Sequence, residues 1–320
     1  MSNKRIYLYF FILFFFLLSQ IACNPKTEKH YHISIVTSNP GSSHDSEGFV
    51  KYLSSRGYVR GKNTTFYYRA KGEEVDSFIK RMVDKNVDLF FCVTTPITKS
   101  LKRLTEENKI PGVFIVNDPL NSHIVNSIKK PGGNLTGIQL SGSTPKALEW
   151  LKSLFHNTAN VWVPVSFDTK AALQSLNDLE KAAKKLNIKI WTSEVKNKND
   201  LKRTLDVIPE EIDSIFTFHS VLINSNLDLI VKKSIEYKLP LAASGHEQYK
   251  KGALLSYGVS HHKVAKHAGR LADSILKGSD PANIPVETAD FTLGLNLKTA
   301  KEINVEIPEH FIEQANEILY

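Results

Sequence analysis

The chain has 320 residues, enough for one large domain or two of ordinary size, and 42% of them are apolar, which suits a substantial core. Its formal charge is +8, but lysine and glutamate are interleaved along helical stretches, and no compact basic stripe with aromatic residues occurs. This composition argues against a disordered chain and against nucleic-acid binding.

The N-terminal residues have the pattern of an export signal. Lys4 and Arg5 precede an apolar run of 13 residues, shorter than the roughly 20 that a membrane-spanning helix needs. We therefore interpret residues 1–22 as a secretory signal peptide and residues 23–31 as a polar, flexible tether.

The end of the signal places Ala22 directly before Cys23 and resembles the lipobox of bacterial lipoproteins, with Gln20 in place of the usual leucine. The resemblance implies that Cys23 is acylated and anchors an exported protein to a bacterial membrane. An ordinary signal peptide with an incidental cysteine is the alternative. The other cysteine, Cys92, lies in an apolar strand-like run and reads as a small buried residue.

From residue 32 onward, strand-like and helix-like segments alternate. Apolar and β-branched runs predict strands at residues 32–37, 64–68, 87–94 and 113–117. Apolar residues at helical spacing predict helices at residues 47–56, 73–85 and 96–108. A short helix-like segment then precedes the turn at Pro131-Gly132-Gly133-Asn134 and a second strand-like run. Such alternation predicts a parallel sheet with helices on both faces.

The pattern restarts after Gly142. Strands are predicted at residues 161–165, 188–194, 212–218, 239–243, 253–257 and 291–296. Helices are predicted at residues 145–155, 169–186, 199–206, 227–237, 261–277 and over most of 308–320. Two α/β halves in succession predict two lobes that face each other across a cleft. We assign residues 32–141 and about 255–290 to lobe 1, and residues 142–254 and about 291–320 to lobe 2, with the first hinge crossing near residues 140–143.

Several short motifs, in order along the chain, are similar to those of one family, the ABC transporter substrate-binding lipoproteins of the tryptophan/tyrosine-binding type. They lie at residues 57–63, 87–96, 117–120, 131–137, 252–258, 275–287 and 296–300. The resemblance implies a two-lobed clamshell of the type I periplasmic-binding-protein-like class, each lobe a parallel sheet sandwiched by helices, with several hinge crossovers. It also implies capture of a small ligand, which is an aromatic amino acid in the members whose ligands are known, and delivery of that ligand to ABC permease subunits.

The candidate ligand-binding residues follow the predicted strands, because ligands of parallel α/β sheets bind outside the carboxyl ends of the strands. The resemblance adds the positions that match the family's cleft motifs, and Ser43 aligns where many members carry an acidic residue. The full candidate set is Ser43, Thr94, Thr95, Asp118, Phe167, Asp168, Phe218, His219, Ser220 and Glu247.

Each candidate also has a purely structural interpretation. Thr94 and Thr95 could bind a ligand carboxylate at a helix N-terminus, or only cap that helix. Asp118 could pair with a ligand ammonium group, or form an Asx turn before Pro119. Phe167 and Phe218 could stack on a planar ligand, or pack in the core.

No catalytic motif appears in the sequence, and we expect neither an enzyme nor a bound cofactor. The double glycine at Gly132 lacks the following residues of a P-loop and indicates a turn. His262 and His267 do not have the spacing of a helical metal site, so we expect no metal. For an enzyme, Asp118 with Glu247 would be the pair to test. The alternative to a transport function is a sensor or adhesin lipoprotein that uses the same clamshell to engage a partner.

Overall fold

The structure, a computed structural model, describes residues 29–38, 44–167, 170–218 and 220–320. The predicted signal peptide, the lipidation candidate Cys23 and the site candidates Ser43, Asp168 and His219 lie outside the described residues. No described helix combines the length and the apolar character that crossing a membrane requires.

The described elements alternate along most of the chain, as predicted. The strands are β1 Tyr31–Val36, β2 Thr64–Tyr68, β3 Leu89–Val93, β4 Gly112–Val116, β5 Leu135–Gln139, β6 Asn160–Val165, β7 Lys189–Glu194, β8 Ser214–Phe218, β9 Leu241–Ser244, β10 Leu255–Val259, β11 Glu287–Thr288, β12 Phe291–Asn296 and β13 Glu317–Leu319. The helices are α1 His44–Ser55, α2 Val75–Asp84, α3 Thr95–Thr105, α4 Ser143–Leu154, α5 Lys170–Lys185, α6 Lys198–Leu205, α7 Val221–Ser225, α8 Leu227–Glu236, α9 His261–Leu276, α10 Leu297–Glu302 and α11 Glu309–Gln314.

Lobe 1 is built on a sheet whose described strands run in the order β11-β5-β4-β3-β1-β2. All of their pairings are parallel. Because side chains of a strand alternate between its two faces, both faces of each central strand are apolar and both need a cover. On one face Ile33, Phe91 and Val113 pack against α1 and α9. On the other, Phe90 and Phe114 pack with residues of α2 and α3.

Lobe 2 is built on a sheet whose described strands run in the order β13-β12-β10-β9-β8-β6-β7. Its pairings are parallel except that β12 runs antiparallel to β10. This sheet is also covered on both faces. Val161, Val163 and Phe216 lie in a core with residues of α4 and α5, whereas Trp162 and Ile215 face a second core with residues of α6 and α8.

The described chain passes between the two sheets at residues 140–142, 260 and 289–290. The first passage leaves the carboxyl end of β5, the second leaves the carboxyl end of β10, and the third joins the carboxyl end of β11 to the start of β12. Val259 at the end of β10 pairs with Phe291 at the start of β12, so the antiparallel direction of β12 brings its start to this same edge. The carboxyl-end edges of the two parallel sheets are therefore the edges that the crossings join.

Two element predictions are wrong. Most of residues 308–320 was predicted as helix, but α11 ends at Gln314 and β13 follows it. This strand is fixed by distant partners, since it pairs with β12 and the Asn316 side chain accepts from the Leu293 amide. The helix-like segment after Asp118 is a series of turns, because Ile124 and Val125 enter the core rather than line one helix face.

The placement of β10 also differs from the expected division of the chain near residue 255. We assigned residues from about 255 onward to lobe 1, but β10 pairs with β9 and β12 in the second sheet. Helix α9, which follows β10, packs against α1 of lobe 1. The chain therefore changes lobes at the end of this strand, at Ser260, rather than at its start.

The Cys92 thiol provides a test of the lobe 1 core. The side chain is 0% exposed, and burial raises the pKa of the thiol to about 12, although a contact with Thr98 opposes the shift. Because the thiolate is the reactive form, we expect a Cys23→Ala variant to resist a thiol-specific reagent at pH 8 and to become labelled only on unfolding in denaturant. Rapid labelling without denaturant would show that the β3 core opens in the native protein.

Asp273 on α9 provides a second test, because it ties this late helix to the first lobe. Its carboxylate accepts from Tyr58 Oη at 3.1 Å and pairs with Lys277 at 2.8 Å and Arg56 at 3.3 Å. Burial raises the pKa of this carboxyl, but the hydrogen bonds from Lys277 and Tyr58 outweigh burial and hold the pKa below its usual value. The ion-paired form therefore stabilises the folded chain above the unfolded pKa, near 4, and this stabilisation is lost as the pH falls through the folded value.

We expect Asp273→Ala to lower the free energy of unfolding by about 2 kcal/mol at pH 7, because it leaves the Tyr58 hydroxyl without its acceptor. The control is Asp76→Ala, which removes an exposed pair with Arg103 and should cost no more than about 1 kcal/mol. Urea unfolding at pH 7 and pH 3 measures both. If Asp273→Ala lowers the free energy of unfolding by the same amount at pH 3 as at pH 7, the ionised Asp273 carboxylate is not the source of the stabilisation.

Candidate functional site

The candidate site is the edge at which the parallel strands of both lobes end. In the first sheet, β2 lies on one side of β1 and β3 lies on the other, so successive connections after β1 go in opposite directions. The crevice beside such a reversal of strand order is where open α/β sheets bind ligands. The described residues that follow β1, β2, β3 and β4 lie along this part of lobe 1, and those that follow β6, β8 and β9 lie along the corresponding edge of lobe 2.

Thr94 has the most unusual backbone of the predicted site residues. Its φ of 85° and ψ of 145° lie in a region that a β-branched residue rarely adopts. Its amide donates to the Ile115 carbonyl of β4, and its own carbonyl accepts from the Thr98 amide and hydroxyl. These bonds fix the strained turn between β3 and α3. The Thr94 side chain makes no capping hydrogen bond, so helix capping does not account for its hydroxyl.

Asp118 adopts the structural alternative that the sequence left open. Its two carboxylate oxygens accept from the Asn121 amide at 2.9 Å and from Asn121 Nδ2 at 2.6 Å. This is the side-chain turn expected before Pro119. Asp118 remains half-buried just after the end of β4. Because β4 lies beside β3, Asp118 and Thr95 follow neighbouring strands of the sheet.

Lobe 2 presents apolar side chains at its strand ends. Phe167 follows β6 and is 46% exposed, and Val221 begins α7 after β8 and is 65% exposed. Strands β6 and β8 are neighbours in the sheet, so both side chains belong to one stretch of this edge. Phe218, in contrast, is 2% exposed and lies in the core with Phe216, because alternate residues of β8 share a face. Its environment matches the core-packing interpretation.

The remaining predicted residues of lobe 2 serve partly structural roles. Ser220 is buried, and its hydroxyl accepts from the Ile223 amide as the cap of α7. Glu247 is exposed and bonded to Lys250 at 2.7 Å, and this hydrogen bond holds the pKa of the Glu247 carboxyl below its usual value. Asp118 and Glu247 thus each have a local partner of their own.

His246 is a residue of this edge that our sequence-based selection of candidates missed. Burial lowers the pKa of its imidazole, and Nε2 lies 3.9 Å from Glu317 of β13. The loop that carries His246 lies directly over β10, because a Cβ atom on Gly258 would come within 2.5 Å of the His246 amide nitrogen. Only a glycine permits this approach. The pairing of β13 that creates the Glu317 contact could not be read from the sequence.

Arg69 is the second missed residue. It follows β2, and its guanidinium donates to the carbonyls of Thr37 and Ser38, immediately after β1. The signal in the sequence is a cation directly after a predicted strand. We overlooked it because the sequence does not show that β2 lies beside β1 at the reversal of strand order.

The first crossing is joined to lobe 2 at this same edge. The Thr144 hydroxyl, in the first turn of α4, lies 3.0 Å from the Ser244 hydroxyl at the end of β9, and both groups are buried. Gly142 before α4 has a φ of 108°, a conformation that favours glycine. Among the described residues, no group of three or more His, Cys, Asp or Glu side chains could hold a metal ion.

Comparison with known proteins agrees with this architecture. The model of a family described as ABC transporter substrate binding protein matches residues 31–319. A tyrosine-binding protein of Clostridioides difficile (strain R20291) is 27% identical over 289 residues, which are 88% of this chain and 82% of that protein.

Solved structures share the fold. A ligand-free, open substrate-binding protein with adhesive properties from Clostridium difficile is 24% identical with a TM-score of 0.73, covering 91% of this chain and 99% of that one. An ABC domain from Streptococcus pneumonia in complex with L-Trp is 22% identical with a TM-score of 0.74, covering 91% of this chain and all of that one. The predicted two-lobed fold class is thereby confirmed. Because the family model extends from the first described strand to the last, the chain belongs to the ABC transporter substrate-binding protein family, a class of binding proteins.

Proposed function

We propose that the protein is the solute-binding lipoprotein of an ABC importer, which captures an amino acid with an apolar or aromatic side chain and delivers it to a permease. The observation that carries the proposal is the exposure of Phe167 and Val221 at the strand ends of lobe 2. Exposed apolar side chains at a site edge gain free energy when a ligand covers them.

Lobe 1 offers complementary chemistry on the facing edge. Thr94 and Thr95 stand at the N-terminus of α3, where main-chain amides and hydroxyls favour a carboxylate, and Asp118 favours an ammonium group. A zwitterion with an apolar body would therefore contact both lobes. Contacts made to both lobes at once stabilise the closed arrangement of a hinged protein.

The names of two relatives support the same ligand class. One is a tyrosine-binding protein, and the other is described in complex with L-Trp. The alternative, a lipoprotein that uses the clamshell to engage a partner protein, requires no small ligand. Ligand binding therefore separates the two functions.

The ligand class can be tested by thermal unfolding in the presence of each of the 20 standard amino acids, about 1 mM each. A ligand that binds only the folded chain at 100 times its Kd stabilises it by about 2.7 kcal/mol, so a true ligand raises the Tm by several degrees. We expect tryptophan, tyrosine or phenylalanine to give the largest shift. If neither these nor other small solutes change the Tm, the proposed function is wrong.

The apolar edge can be tested with a matched pair of valines in lobe 2. Val221 follows the carboxyl end of β8, whereas Val207, which is 73% exposed, precedes the amino end of the same strand. We expect Phe167→Ala to weaken binding of the best amino acid about tenfold, because about 1.4 kcal/mol of apolar contact is lost. Val221→Ala should weaken it less, and Val207→Ala should have no effect in calorimetric titration. Equal affinities for all three variants would exclude this edge as the site.

The proposed anchor at Cys23 can be tested separately in a bacterial host. A Cys23→Ala variant should lose incorporation of labelled palmitate and move from the membrane fraction to the soluble exported fraction, because its acyl chains hold the protein on the membrane. Cys92→Ala is the control, since Cys92 is buried in lobe 1. Membrane association that persists in Cys23→Ala would contradict the lipid anchor.

A further inference from the structure

Arg69 is a cation with an unusual set of partners. Its guanidinium donates to three main-chain carbonyls, those of Thr37 at 3.2 Å, Ser38 at 2.8 Å and Glu73 at 2.6 Å. Its Nε–H group is buried and, among the described residues, has no hydrogen-bond partner. A buried donor without an acceptor is costly, and it therefore requires a physical explanation.

No carboxylate lies within ion-pairing distance of Arg69 among the described residues. The carboxylate of Glu73, four residues later, accepts from Arg81 at 2.7 Å and from the Ala70 amide at 3.0 Å. Other described arginines, such as Arg56 and Arg103, do pair with a carboxylate. Arg60 lacks one, but it lies over the rings of Phe66 and Tyr68. Arg69 is thus held in place by neutral main-chain groups, and no described acidic side chain forms a contact ion pair with it. The hydrogen bond from Arg81 is the largest cause that lowers the pKa of the Glu73 carboxyl, and the charge of Arg69 is only one of the smaller causes.

The position of Arg69 links this charge to the candidate site. Tyr68 at the end of β2 pairs with Ile35 of β1, and Val36 of β1 pairs with Cys92 of β3. Arg69 and Thr94 therefore emerge on opposite sides of the end of β1, where Thr37 and Ser38 accept from the guanidinium. Neighbouring strands are about 4.8 Å apart, so a guanidinium above the end of β1 is within reach of a ligand seated on the N-terminus of α3.

We propose that Arg69 recognises the carboxylate of the ligand at the ends of β1 and β3. This inference rests on the proposed function and deepens it, because it requires that the ligand carry an anionic group. The three carbonyls orient the guanidinium before the ligand arrives, and the ligand carboxylate supplies the contact ion pair that no described acidic side chain forms with Arg69. A guanidinium is suited to this task because its planar, fixed donors match the geometry of a carboxylate.

The experiment compares each aromatic L-amino acid with its carboxamide, which keeps the side chain and the ammonium group but has no negative charge. Calorimetric titration is performed on wild type, Arg69→Met, Arg69→Lys and the control Arg60→Met. The guanidinium of Arg60 lies over the rings of Phe66 and Tyr68 and donates to the Tyr68 hydroxyl. The control therefore removes the same charge without removing the contacts to the Thr37 and Ser38 carbonyls.

We expect Arg69→Met to weaken binding of the acid about 10- to 100-fold, as for the loss of a hydrogen bond to a charged group, and to leave the affinity for the amide within about threefold. Arg69→Lys should recover part of the affinity for the acid, because the charge remains. Arg60→Met should bind both ligands as wild type does.

Equal losses for the acid and the amide in Arg69→Met would overturn the inference and leave Arg69 a residue that only positions the loop after β1. Where the amide binds too weakly to measure, equal losses of the acid in Arg69→Met and Arg69→Lys overturn it in the same way. Both outcomes leave the proposed function intact. Failure of the wild type to bind any amino acid or amide is the different result that removes the proposed function itself.

Discussion

All described crossings between the lobes meet the sheets at the edge where the parallel strands end, and the rest of the architecture depends on this constraint. In lobe 1 the chain leaves from β5 and β11, and in lobe 2 it leaves from β10 and enters β12. The antiparallel direction of β12 makes the last of these connections short. Three short links at one edge restrict the relative motion of the lobes to a hinge, which changes the distance between the two sets of strand-end loops.

The two edges that the hinge brings together differ in chemistry. Lobe 1 contributes a guanidinium, hydroxyls, a helix N-terminus and the carboxylate of Asp118, whereas lobe 2 contributes Phe167 and Val221. Neither edge alone therefore complements both the charged end and the apolar body of a zwitterionic ligand. Such a division couples recognition to closure, because the full interaction free energy is available only when both lobes contact the ligand.

The sequence predicted the class of fold and nearly all central elements, because strands and helices buried on two faces have strong periodicity. It failed where distant pairing decides the structure. β13 has three residues and exists because β12 lies beside it, and the hydrogen bonds of Arg69 to Thr37 and Ser38 depend on β2 being next to β1. Phe167 and Phe218 looked equivalent in the sequence, yet one is exposed beyond the end of β6 and the other is held in the core by the alternation of β8. Positions beyond strand ends were predictable, but the environment of each side chain was not.

The direction of the outermost strands has a mechanical consequence. β1 begins at Tyr31, at the amino edge of the first sheet, and β13 runs parallel to β12, away from the crossings. Both β1 at its start and β13 at its end therefore lie on the sides of their lobes opposite the candidate site. A tether attached ahead of β1 would hold lobe 1 on the side opposite the candidate site and leave lobe 2 free to move about the hinge. For the same reason, a surface or a fluorophore coupled at Tyr320 would not obstruct access to the candidate site at the strand ends.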